Sequence, residues 1–171
     1  SLATNYNRRN EKASLFELSN VYIPKALPLT ELPEERMTLC FGFYGEGDFF
    51  DLKGALEQVL ADLGVKLPRK YEPDHQIPFL HPGRQAQISY EGVWIGEIGE
   101  VHPLVCQNYG IGERAYIAVL DMPAILPFAT FDRKFTGIAR YPAVTRDISM
   151  IVPRDITAAE IEAVLEQRGG K

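Results

Sequence analysis

Apolar residues alternate without a break over Arg114–Asp121, RAYIAVLD, with Ala115, Ile117 and Val119 on one face and Tyr116, Ala118 and Leu120 on the other. Both faces are apolar, so the pattern predicts a central strand. Leu15–Ile23 (LFELSNVYI) and the near-continuous apolar run Met37–Tyr44 (MTLCFGFY) predict two more strands, the second buried. GEGD then breaks the chain and opens a helix with Asp48 as N-cap. Leu52, Leu56, Val59 and Leu63 repeat at helical spacing, and Gly64 stands where a C-terminal cap is expected. The internal Gly54 costs about 1 kcal/mol relative to Ala, so close packing is expected there.

Val65–Tyr71 reads as a weak strand, and His81–Pro103 as a β-hairpin with a His-Pro step at each end. Gln85–Tyr90 and Val93–Ile98 form its arms, joined by Glu91-Gly92. Gly96 and Gly99 predict a bulge or a close backbone approach in the return arm. His102–Tyr109 is expected to be a short helix with Pro103 in its first turn. Pro123–Val144 has three prolines and reads as a connection. Thr145–Val152 follows as a strand, then a capping box at Thr157 and Glu160 flanked by Ile156 and Ile161. The pattern is α+β, mostly antiparallel sheet over residues 1–130. One strand and one helix in 131–171 cannot bury their own apolar faces, so that domain is expected to be incomplete.

Hydrophobic residues make up 46% of the 171, enough for a sizeable core, and 24% are charged, which disfavours disorder. No apolar run approaches the ~20 residues of a membrane-spanning helix, and the start of the chain has no apolar signal core. Cys40 and Cys106 lie in apolar contexts, which favours reduced thiols in a cytoplasmic protein. The net charge of −5 opposes bulk phosphate binding. Basic residues nevertheless cluster at Arg8, Arg9 and Lys12, and again at Arg133, Lys134, Arg140 and Arg146.

Candidate chemistry concentrates in the hairpin, at His81, Arg84 and His102. The spacing of His75, His81 and His102 matches no compact metal-ligand pattern. Cys106 stands four residues after His102, but nothing nearby suggests an oxyanion site. No catalytic and no metal-binding residue is assigned. Trp94 reads as core or interface, and Asp51 and Lys53 as a helix start and its solvated neighbour.

Several segments in joint order carry a resemblance: NYNRR before LFELSNVY, then FFDLKGALE, HPGRQA, IGEIGEVHP, RAYIAVLD and FTGIARYPAVTRDISMIV. Across nearly the whole chain they resemble the beta subunit of bacterial phenylalanyl-tRNA synthetase, near its C-terminal end. The resemblance implies a non-catalytic copy of the class II synthetase fold, an antiparallel sheet with flanking helices, over residues 1–130. It also implies the truncated start of a ferredoxin-like anticodon-binding domain over 131–171. In that family the alpha subunit makes the adenylate, the working enzyme is an alpha-two beta-two tetramer, and phenylalanine tRNA is bound. ATP and magnesium belong to that holoenzyme, with no cofactor expected in this part and no activity expected of it alone.

Active class II enzymes place Arg beside Glu in an F-R-x-E strand, whereas this chain offers Phe16-Glu17-Leu18. Gly110-Ile-Gly112-Glu113-Arg114 imitates a second arginine motif but enters a strand. For RNA, Arg140 and Arg146 are the candidates, flanking Tyr141-Pro142: two guanidiniums for phosphate and a ring for stacking. The alternative is that both brace the connection through Asp132 or Asp147. Two other functions stay open, an independent class II-like adenylate-forming enzyme using Arg84, Arg114 and Glu17, and a free-standing RNA-binding module.

Overall fold

The computed structural model describes residues 1–65, 70–133, 135, 137 and 144–169. Six strands pair antiparallel in one sheet, in spatial order β1-β2-β6-β5-β4-β3. They are β1 (Ala13–Ile23), β2 (Glu34–Tyr44), β3 (Lys70–Pro73), β4 (Leu80–Tyr90), β5 (Val93–Val101) and β6 (Ala115–Asp121). RAYIAVLD is central as its two apolar faces predict, lying between β2 and β5 with most of its residues buried.

The helix α2 (Phe49–Asp62) starts as expected. Asp48 accepts from the N–H groups of Phe50 (2.7 Å) and Asp51 (3.2 Å), and Asp51 reciprocates on the Asp48 N–H. Leu52, Leu56 and Leu60, one turn apart, are fully buried against Ala86, Ile88, Ile98, Ala118 and Leu120. These sheet residues are cross-strand neighbours, so they share the face that α2 covers. Gly64 ends the helix at φ +77°, where a Cβ would lie 2.0 Å from the Thr130 carbonyl oxygen. Gly54 corrects the expectation of close packing: nothing lies within 4 Å of where its Cβ would be.

The hairpin turns at Glu91 (φ 49°) and Gly92 (φ 80°), the pair of positive angles that a tight two-residue turn requires. Its arms run further than the alternation predicts. Counting back from the turn would set Arg84 opposite Gly99. A bulge between Ile88 and Ser89 shifts the pairing by one residue, so Gln85 meets Gly99 and Arg84 reaches Glu100. At Gly96 a Cβ would lie 2.4 Å from the Val119 carbonyl oxygen, the close approach the sequence anticipates.

The opposite face carries α1 (Leu2–Asn7), unforeseen in the sequence, and α3 (Pro103–Asn108), packed around Tyr44, Cys106 and Ala115. After β6 come α4 (Met122–Ile125) and a 3-10 turn, Leu126–Phe128. Buried Asp121 caps α4 through Ala124 N–H (3.1 Å) and pairs with Arg36 (3.1 Å).

Two expectations need correction. β2 is mostly half-buried, because its outer neighbour β1 lies exposed along nearly its whole length. Val144–Pro153 carries neither helix nor strand: a strand needs a partner to hold its hydrogen bonds. The weak strand at Val65–Tyr71 becomes β3, starting at Lys70, while 66–69 lie outside the described residues. Contacts divide the chain into two units, Ser1–Arg133 and Lys134–Lys171. The second contains α5 (Ala158–Arg168), whose Thr157–Glu160 capping box is present in full.

Candidate functional site

The three histidines of the hairpin region hold backbone. The Gly83 N–H donates to His81 Nδ1 (3.0 Å), and the Leu104 N–H to His102 Nδ1 (3.1 Å), so His102 is the N-cap of α3. His75 donates from Nδ1 to the Pro82 carbonyl. Cys106 is buried on α3, and burial pushes its thiol up from the ordinary value, away from the thiolate a nucleophile needs. Cys40 is shifted the same way, first by burial and then by nearby Glu17. No group of three or more His, Cys, Asp or Glu suited to a metal occurs among the described residues.

Arg84, Glu100 and Arg114 do come together. Glu100, at the end of β5, is only 4% exposed. Its Oε1 accepts from Arg84 Nη1 at 2.8 Å, and Arg114 Nε stands 4.0 Å from the same oxygen. Arg114 is delivered by a turn at Gly110 (φ 71°) that enters β6, as the sequence suggests. The cluster borders a cavity of about 520 Å³, walled by Phe49, Phe50, Tyr71 and Tyr116. Lys53 on its rim is more than a solvated neighbour: it sits 4.7 Å from the Tyr71 ring centre and pairs with Glu57 at 3.4 Å.

This donor set does not fit ATP and magnesium. One of two arginines is balanced by Glu100, leaving a single surplus positive charge to face a triphosphate. Glu17, which an adenylate-forming site would need beside these arginines, is on β1 and borders a different recess with Cys40 and Cys106.

A second feature is apolar. On β1, Phe16 is 80% exposed and Leu18 54%. They pair with Phe41 and Leu39 of β2 and lie on the face that α2 only partly covers. The recess there, about 530 Å³, is lined by Phe16, Leu39, Phe41, Phe43, Leu52 and Val59. Sequence alternation missed this surface, because an interface strand carries the same pattern as a buried one. Trp94 is 41% exposed on the outer part of the hairpin.

Arg146 donates from Nη1 to the Thr145 carbonyl (3.1 Å) and, among the described residues, makes no ion pair with Asp147. Arg140, Tyr141 and Pro142 lie outside the described residues.

Pyrrolysyl-tRNA synthetase from Desulfitobacterium hafniense has the same fold, with a TM-score of 0.57 at 11% identity over 73% of this chain and 45% of that one. The sheet and its helices therefore share the fold of that protein. The model of the phenylalanyl tRNA synthetase beta chain CLM domain matches residues 1–122. The phenylalanine–tRNA ligase beta subunit of Clostridium acetobutylicum is 43% identical over 99% of this chain and 21% of its own length. That of Clostridium tetani is 37% identical over 100% and 21%. The chain belongs to the phenylalanyl-tRNA synthetase beta chain family, and spans about a fifth of these relatives' length. None of them supports an independent adenylate-forming enzyme or a free-standing RNA-binding module. No helix among the described residues is long and apolar enough to cross a membrane.

Proposed function

We propose that this chain is a non-catalytic, class II synthetase-like domain (residues 1–130) of a phenylalanine–tRNA ligase beta subunit, which supports the catalytic alpha subunit in an alpha-two beta-two enzyme. The observation that carries the reading is the uncovered apolar surface of β1 and β2, with Phe16 and Leu18 standing in solvent. Contiguous exposed apolar surface of this kind marks a place for a partner. ATP and Mg²⁺ then act on the alpha subunit, in the cytoplasm, on phenylalanine and its tRNA.

Phe16→Ser with Leu18→Ser in the full-length subunit tests this. The expected outcome is loss of co-purification with the alpha subunit and loss of aminoacylation, with the subunit's own thermal unfolding unchanged. Unaltered assembly would reject this surface as the contact. Residues 131–171 are read as the first part of a ferredoxin-like anticodon-binding domain, with Arg140 and Arg146 on tRNA phosphate. Replacing both by Ala in the assembled enzyme should weaken tRNA binding and flatten its salt dependence by up to about two phosphate contacts. An identical salt slope removes them from the RNA surface.

A further inference from the structure

The cavity beside Glu100 is neither part of the partner surface nor explained by it. Its volume, about 520 Å³, falls within the range of small-molecule sites. Its walls are aromatic on several sides, and its charge is uneven. Arg84 uses Nη1 on Glu100 and keeps its remaining donors, while Arg114 is 67% exposed and stands off at 4.0 Å. Lys53 is balanced by Glu57, and Asp48 by the helix N–H groups that it caps. One positive charge is left over at the mouth of an aromatic pocket.

We propose that this cavity binds a small monoanion carrying a flat ring, an aromatic carboxylate. The carboxylate is held by Arg114 and the free edge of Arg84. The ring lies against Phe50, which is 74% exposed, and Tyr116, which is 7% exposed, both of them lining the cavity. A planar guanidinium matches a carboxylate with two parallel hydrogen bonds, and ring contacts add attraction beyond buried area. Glu100 has a positioning role: its carboxylate fixes the Arg84 fork from behind. This site does not depend on the scaffold reading.

The test is isothermal titration of the full-length subunit with 3-phenylpropionate at millimolar concentration. Saturable binding is expected, weakened about tenfold by Arg114→Gln and also weakened by Phe50→Ala. Both side chains are largely exposed, so neither variant should disturb the fold. Phenethylamine, with the same ring and the opposite charge, should not compete. The proposal is overturned if the wild-type subunit gives no binding heat, if both variants bind as wild type, or if phenethylamine competes equally.

Discussion

A single methyl group separates two glycines that look alike in the sequence. Gly54 sits two positions from Leu52 and Leu56, off the buried face of α2, with open space where a Cβ would go. Gly54→Ala should therefore stabilise the chain by about 0.5–1 kcal/mol, since Ala loses less backbone freedom in a helix. Gly96→Ala drives a Cβ to 2.4 Å from the Val119 carbonyl oxygen and should cost about 1–3 kcal/mol or more. Urea unfolding of the two variants should give shifts of opposite sign. Equal shifts would mean that the sheet yields where its backbone looks closed. The sequence reading expected close packing at Gly54, because a helical glycine costs stability unless something needs the space, and the open surface there overturns it; Gly96 needed the register of β5 against β6. Arg84 and Glu100 were less legible still, because the bulge that joins them has no sequence signal beyond the glycines.

At the level of elements, what local hydrogen bonds can build was legible and what needs a distant partner was not. Asp48 caps α2 and the Thr157–Glu160 box caps α5 as read, while the reciprocal bond from Asp51 on α2 was not anticipated. The strand expected over Thr145–Val152 needs a neighbour, and its backbone has none in the described residues. α5 also carries a pH dependence. The Thr157 backbone N–H, then its hydroxyl, hold Glu160 below the ordinary glutamate range. A folded-state pKa below the unfolded one gives stability that is complete above the unfolded value and lost as pH falls through the folded one. Helicity assigned to α5 by NMR chemical shifts should thus decline below the normal glutamate range, and Glu160→Gln should flatten that decline. Thr157→Ala should lower its stability by about 1 kcal/mol at neutral pH. A pH-independent helix would mean that the Glu160 carboxylate contributes nothing to the box in solution.

Across the whole molecule the sheet is unevenly supported. Leu52, Leu56 and Leu60 hold α2 over β4, β5 and β6, whereas β1 is the edge strand, paired with β2 and touched by the short α1. Leu52→Ala should cost about 2–5 kcal/mol, while Phe16→Ser should stay within about 0.5 kcal/mol, as surface changes do. Thermal unfolding of the two variants reads the contrast, and comparable losses would show that β1 is already covered. The α+β class and most of the strands were legible in periodicity. Which strand would stand uncovered was not, since alternation reports that a side chain is apolar and says nothing of what meets it.

The one-residue bulge in β5 carries a further consequence. A hairpin zipped straight from Glu91-Gly92 without it would put Glu100 and Arg84 on opposite faces of the sheet. The carboxylate would then lose its bond to Arg84, a misalignment that electrostatics would penalise. The ion pair thus acts as a checksum on strand alignment: its two halves agree only when the extra residue has been counted.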